Sequence, residues 1–352
     1  MNCQNTSYHS TFRRTFIITF VMALAAGSFL TAQESPGLKL VAGDGTPGFS
    51  DVDPVRFHKP IRLAPYGKNT ILTADIFNHA IRSVTIDGIV RTIAGGPDKA
   101  GHRDGPASES SFDSPHGVAF DPSSGEILVA EAGNHTIRLL TPVKKDKPLH
   151  EREYTVSTLA GRPGEKGFKD GPAGEAYFNS PHALAFLPDK SIVVADIGNA
   201  RIRLIKEGMV STIAGTGESG QKDGDPLRST FTYPMDLVIA GDRTILIADA
   251  GTDLIRKLLI GKEVSTLQLQ SELHTPHGIA VDKNGTLYVA DMKSHRVVAV
   301  NETGEVRPVC GTGESGSQTH ELNKPAAVLV HDGHLWIADL ENHQIKVIPL
   351  SD

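Results

Sequence analysis

Ile71-Leu72-Thr73-Ala74-Asp75 returns five times along the chain with small changes. The other copies are Ile127-Leu-Val-Ala-Glu131, Ile192-Val-Val-Ala-Asp196, Ile245-Leu-Ile-Ala-Asp249, Leu287-Tyr-Val-Ala-Asp291 and Leu335-Trp-Ile-Ala-Asp339. Each word is a short aliphatic or β-branched run closed by an acid, the pattern of a buried strand. The acids recur at intervals of 42 to 65 residues. A period of roughly 40–50 residues holding several short strands marks propeller blades, with the excess length in loops.

The flanking sequence keeps the same register. Upstream of each word stands an aromatic residue or leucine, then two residues, then proline: Phe57–Pro60, Phe112–Pro115, Phe178–Pro181, Phe231–Pro234, Leu273–Pro276 and Leu322–Pro325. Seven residues after the acid comes a base in five copies (Arg82, Arg138, Arg203, Arg256 and Lys346), with Val298 the exception. A further strand then ends in Ala-Gly, as in Val210-Ser-Thr-Ile-Ala-Gly215.

These words together resemble the NHL-repeat family over residues 38–350. The resemblance implies an all-β fold, a six-bladed β-propeller of four-stranded blades. The sixth copy stops at Leu350 after its third strand, and the missing fourth-strand word stands at the other end as Leu38-Lys-Leu-Val-Ala-Gly43. The N-terminal strand is therefore expected to complete the last blade. That closes the ring and removes the exposed edges of an open array.

Residues 1–32 read as a signal peptide: Arg13-Arg14, an apolar run from Phe16 to Leu30, then Thr31-Ala32. An uncleaved anchor is the alternative, although the run is short for a span. Arg13-Arg14-Thr15-Phe16-Ile17 also resembles a twin-arginine signal. Residues 33–352 would then be one exported domain, periplasmic or extracellular, monomeric and without a membrane span. The chain of 352 residues has a net charge of −6, and loss of the segment removes two arginines and no acids. This acidity speaks against a nucleic-acid partner, which leaves a basic footprint. Cys3 departs with the segment and Cys310 stands alone, so stability rests on packing and closure without a disulfide.

One face of such a propeller carries both the blade-to-blade loops and the turns between second and third strands. Those loops hold Asp104-Gly105, Asp170-Gly171 and Asp223-Gly224, and the turns hold Asn78-His79, Asn134-His135, Asp253, His295 and Asn342-His343. Loops on a rigid scaffold are where binding groups sit. Three G-x-G-x-x-G matches, beginning at Gly43, Gly215 and Gly311, lead into loops and strands with no helix to hold a pyrophosphate, so they read as turns. Lys222-Asp223-Gly224-Asp225 hints at calcium but lacks the full loop spacing with its distal glutamate, so Asp-Gly turn chemistry is the plainer reading. On the opposite face the insertion Lys144–Glu153 reads as a solvated hairpin tip.

Six equivalent acids do not make a catalytic set, because a reaction needs a few differentiated groups. Each is expected to accept backbone N–H bonds from the turn that follows it, with the recurring bases pairing with acids or covering blade surfaces.

The asymmetry lies directly after the repeated proline, where the residues are Ile61, His116, His182, Met235, His277 and Ala326. These open the innermost strands, so three imidazoles are expected to ring the channel mouth. Three converging imidazoles suit zinc with one open position. Asp236 stands next to the equivalent slot and is a candidate to orient a ligand or act as a base. Imidazoles that bond loop backbone are the alternative. The Pro-His words also resemble those of the peptidylglycine amidating lyase, an NHL-type propeller. That resemblance implies zinc ligation by His116, His182 and His277. Two functions follow. One is a noncatalytic binding module presenting its loop-rich face to a protein, peptide or glycan. The other is a metal-dependent lyase or hydrolase at the channel mouth, with zinc as Lewis acid or activator of water.

Overall fold

The computed structural model describes residues 37–350 except Asp242. The signal-peptide reading of residues 1–32 falls outside that range. No helix among the described residues is long and apolar enough to cross a membrane.

Six antiparallel sheets form the blades. Blade 1 comprises Pro60–Pro65, Thr70–Asp75, Ala80–Thr85 and Val90–Gly95, in that order outward. Blades 2, 3, 4 and 5 open on Pro115–Phe120, Pro181–Phe186, Pro234–Ile239 and Pro276–Val281. Blade 6 contains Pro325–His331, His334–Asp339 and Gln344–Pro349. Its outer strand is Lys39–Ala42, which pairs antiparallel with Gln344–Pro349 through Lys39↔Val347 and Leu40↔Lys346. The ring is thus closed by the N-terminal strand, as expected. The innermost strands of neighbouring blades touch all the way round, blade 6 returning to blade 1.

Blades 2 and 3 depart from four strands. Gly105–Pro106 and Gly171–Pro172, from the Asp-Gly loops, pair as short fifth strands along the outer edges of their blades. Their glycines sit at φ 122° and 131°, where an L side chain is strained, which explains the recurring Asp-Gly-Pro.

The core lies between blades. Every residue of the Ile127–Glu131 word is buried, and Leu128 and Ala130 pack with Leu184 and Val194 of the next blade. Phe57, Phe112, Phe178 and Phe231 are fully buried. Towards the axis, strands approach so closely that a Cβ on Gly117 would meet the His182 carbonyl oxygen at 2.6 Å. One on Gly278 would meet that of Ala326 at 2.5 Å. Glycine after Pro-His in blades 2 and 5 is therefore a close-approach requirement.

The insertion at Lys144–Glu153 is more than a solvated tip. Leu149 packs on the core beside Gly67, and the Tyr66 hydroxyl donates to its carbonyl at 3.1 Å. The blade 2 insertion thereby clasps the underside of blade 1.

Candidate functional site at the channel mouth

The repeated acids belong to the frame. One oxygen of Asp75 accepts the N–H of His58 at 2.7 Å, and the other five acids accept from Asp113, Asn179, Thr232, His274 and Asn323 at 2.6–2.9 Å. The donors follow the repeated Phe or Leu, so the loop ahead of the first strand supplies the N–H. The turn after the acid, from which it was expected, supplies the side-chain amides of Asn78, Asn134, Asn199 and Asn342 instead.

The second carboxylate oxygen meets the repeated base: Arg82 at 2.9 Å, Arg138 at 2.8 Å, Arg203 at 2.7 Å, Arg256 at 3.4 Å and Lys346 at 2.9 Å. Blade 5, with Val298 in the slot, recruits Arg296 at 2.8 Å. Each arginine of blades 1–4 stacks on the phenylalanine before the proline, with 4.8–5.1 Å from Cζ to the ring centroid. Each also pairs with a loop aspartate, Asp51, Asp104, Asp170 or Asp223. Those aspartates in turn accept the N–H of Thr92, Thr158, Thr212 and Thr266, each at 3.0 Å. Burial pushes Asp75, Glu131, Asp196, Asp249 and Asp339 up, and the paired base opposes it. Asp249, whose arginine stands farthest away, rises to about 7.

The calcium candidates are engaged in the same way. Asp223 serves Arg256 and Thr266, and Asp225 caps the N–H of Leu227 at 2.9 Å.

The histidines of the turns join blades. His79 Nδ1 accepts the N–H of Ser114 in the next blade at 3.2 Å, His135 that of Ser180 at 3.1 Å, and His295 that of Lys324 at 3.2 Å. His343 closes the ring on Lys59 at 3.2 Å, and Asp253 does the same work on Thr275 at 2.6 Å. All ten residues of these five contacts have φ between 46° and 64°, so each seam is pinned between two left-handed corners. The sixth seam has Ala200 opposite Tyr233 at the same corners, and alanine offers no side-chain acceptor. Sequence reading placed these histidines on the correct face, but their partners lie one blade away.

The three post-proline histidines do gather at the channel. The rings of His116 and His182 stack with centroids 4.0 Å apart and planes inclined by 31°. His116 Nδ1 donates to the Ser114 carbonyl at 3.0 Å, and His277 Nδ1 to that of Ala326 at 2.8 Å. Both therefore keep the tautomer that leaves Nε2 as an acceptor. Burial lowers His116 and His277 to about 4, with the Arg62 charge adding to the effect and each backbone bond opposing it. His182 falls well below its ordinary value through burial, then through His116, His277 and Arg62. All three are neutral at physiological pH.

One residue deeper, Arg62 of blade 1 reaches across the channel to blade 4. Its guanidinium pairs with the Asp236 carboxylate and donates to the Met235 carbonyl at 3.2 Å. Asp236 also accepts the N–H of Leu237 at 2.5 Å and that of Ile279 in blade 5 at 2.8 Å. Burial raises this carboxyl, while the guanidinium and both amides favour its charged form. Asp236 is therefore a strut that ties blades 1, 4 and 5 together through Arg62 and two backbone N–H groups. Arg62 escaped sequence reading. The signal was available in the residues two after each proline: Arg62, Gly117, Ala183, Asp236, Gly278 and Ala327. The only charges among them are opposite in sign and three blades apart.

The zinc expectation can be weighed on this geometry. Backbone carbonyls orient Nδ1 of two imidazoles, as in metal-bound histidines, yet the rings of His116 and His182 stack on each other. Among the described residues no three His, Cys, Asp or Glu side chains are placed to hold a metal ion. The trio as arranged does not fit zinc.

The six sheets and their repeated ion-pair frame make the chain a six-bladed β-propeller. The sequence pattern of the NHL repeat matches residues 112–138 and 273–305. Bovine NHL repeat-containing protein 2 is 29% identical over 338 residues, covering 80% of this chain and 45% of that protein. This chain thus spans about half the length of the curated relatives it matches. Among solved structures, an auxiliary nutrient binding protein from Bacteroides ovatus superposes with a TM-score of 0.61 at 14% identity, over 90% of this chain and 77% of that one. A gluconolactonase from Xanthomonas campestris gives 0.60 at 13% identity, over 92% and 93%. At such identities the likeness is one of fold. The chain is a six-bladed β-propeller that carries NHL repeats at those two stretches.

Proposed function

We propose that this propeller is an exported binding module that takes a protein, peptide or glycan ligand on its loop-bearing face, centred on the channel mouth. The observation that carries this reading is the arrangement there: three neutral imidazoles above a floor sealed by Arg62 and Asp236. Two of them present Nε2 as an acceptor to whatever enters. The remaining acids and bases of the repeat are held in the frame, so the mouth is the place where uncommitted polar groups converge. The nutrient-binding neighbour shares the fold and agrees with the reading without establishing it.

Glycan and peptide arrays probed with the purified protein, beside a His116→Ala/His182→Ala/His277→Ala variant, test the proposal. The expected result is a hit that the triple variant loses. Hits indifferent to the triple change would move binding away from the mouth. Zinc held by the three histidines is the second reading, supported by the Nδ1–carbonyl bonds, and it requires the stacked rings to separate. Metal analysis after chelator-free purification decides it: stoichiometric zinc that disappears in the triple variant would establish the metal site and displace the noncatalytic reading.

A further inference from the structure

The Arg62–Asp236 pair divides the channel into two chambers. The histidines lie above it. Below it is a cavity of about 310 Å³ lined by Arg62, Asp236 and the outgoing halves of all six innermost strands. Ala64, Ala119, Ala185, Val238, Ala280 and Leu329, one from each blade, stand two residues beyond the Arg62 and Asp236 slots. Strand alternation turns them to the same face of their blades, where they pack towards the neighbouring blade, and all six also line the cavity. The result is an apolar well with one polar end, and its volume falls at the lower limit of ligand sites, roughly 300–1,000 Å³.

The polar end has spare capacity of one kind. A guanidinium has five N–H donors, and the protein engages Arg62 through one carboxylate and one carbonyl. Its side chain is still 13% exposed although it lies inside the channel. Both Asp236 oxygens already accept backbone N–H groups, and the carboxylate is 3% exposed. The accessible group at the well floor is therefore the donor-rich guanidinium, while the carboxylate is almost wholly covered. Its charge is already balanced, so an anionic head group gains little attraction to offset its own desolvation.

We infer that the lower chamber is a second ligand site, distinct from the mouth, for a small uncharged molecule with an apolar chain and a terminal hydroxyl or carbonyl oxygen. The chain lies along the six-residue apolar ring, and the oxygen accepts from Arg62. This goes beyond the reading of the upper mouth and does not depend on it.

The test is titration of the full-length protein with 1-octanol, octanoate and hexaethylene glycol, followed by calorimetry and thermal shift. Saturable binding of 1-octanol is expected, with octanoate roughly tenfold weaker or more and no binding of the hydrophilic glycol. Ala185→Phe, which fills the well, should weaken 1-octanol by at least about tenfold while the triple histidine variant leaves it unchanged. Leu329→Trp is the second filling variant, for use if Ala185→Phe folds poorly. Absence of saturable 1-octanol binding, or equal affinity in a folded well-filling variant, overturns the inference. Preference for octanoate overturns its uncharged ligand class, and loss of 1-octanol binding in the triple histidine variant would place the site at the mouth.

Discussion

His343 of blade 6 and Lys59 of blade 1 join the two ends of the ring. The imidazole accepts the lysine's backbone N–H at 3.2 Å, while the lysine's ammonium pairs with Glu341 at 3.0 Å. The closure is therefore made twice, by a side-chain pin at the loop face and by the Lys39–Ala42 strand at the outer edge.

Deleting residues 33–45 removes the outer strand of blade 6 and exposes the edge of Gln344–Pro349. The melting temperature should fall by roughly 10 °C or more, read by calorimetry. An unchanged transition would show that the ring does not depend on that strand.

Replacing His343 with alanine leaves the Lys59 N–H without its acceptor and puts a side chain with little taste for the left-handed region at φ 55°. A loss of about 1–2 kcal/mol in urea unfolding is expected. The opposite change at the unpinned seam, Ala200→Asn, supplies both an acceptor for Tyr233 and a residue suited to φ 48°, and should gain roughly 1 kcal/mol.

Arg203→Met strips the buried Asp196 of its cation, leaving an unpaired charge at a fully buried site. The cost should be about 3–5 kcal/mol. The Asp196→Asn/Arg203→Met pair should recover part of it in a double-mutant cycle.

His116 and His277 titrate near 4 in the folded chain against an ordinary value of 6.5. As pH falls, the unfolded chain binds protons on these residues first. Their neutral burial therefore carries no penalty above pH 6.5, and stability is lost progressively between 6.5 and about 4, by up to roughly 3 kcal/mol per imidazole. Denaturant midpoints measured across that window should fall less steeply for His116→Asn/His277→Asn than for the parent chain.

Much of the frame was legible because repetition exposes it. Six copies of one strand word, one proline and one acid define blade number, strand register and closure, and the role of the acids as backbone acceptors followed from their equivalence. What stayed hidden needed the ring. The partner of His79 is Ser114 in the adjacent blade, and no pattern within one repeat reveals a bond between two repeats. Arg62 and Asp236 are 174 positions apart, and only the curvature of six blades brings them face to face. The zinc reading of the histidines rested on residue type and slot, whereas ring orientation, set by the Ser114 and Ala326 carbonyls, is a property of the folded backbone.

The corner where Ala200 faces Tyr233 gives the ring a preferred fault line. Tension shared round a closed circle is released at its weakest joint, and five joints here are bolted while the one between blades 3 and 4 is not. Under heat or force the circle should part there first and open into a strip that begins with blade 4 and ends with blade 3. The join made from the two ends of the chain would then lie in the middle of that strip, the last place to come undone.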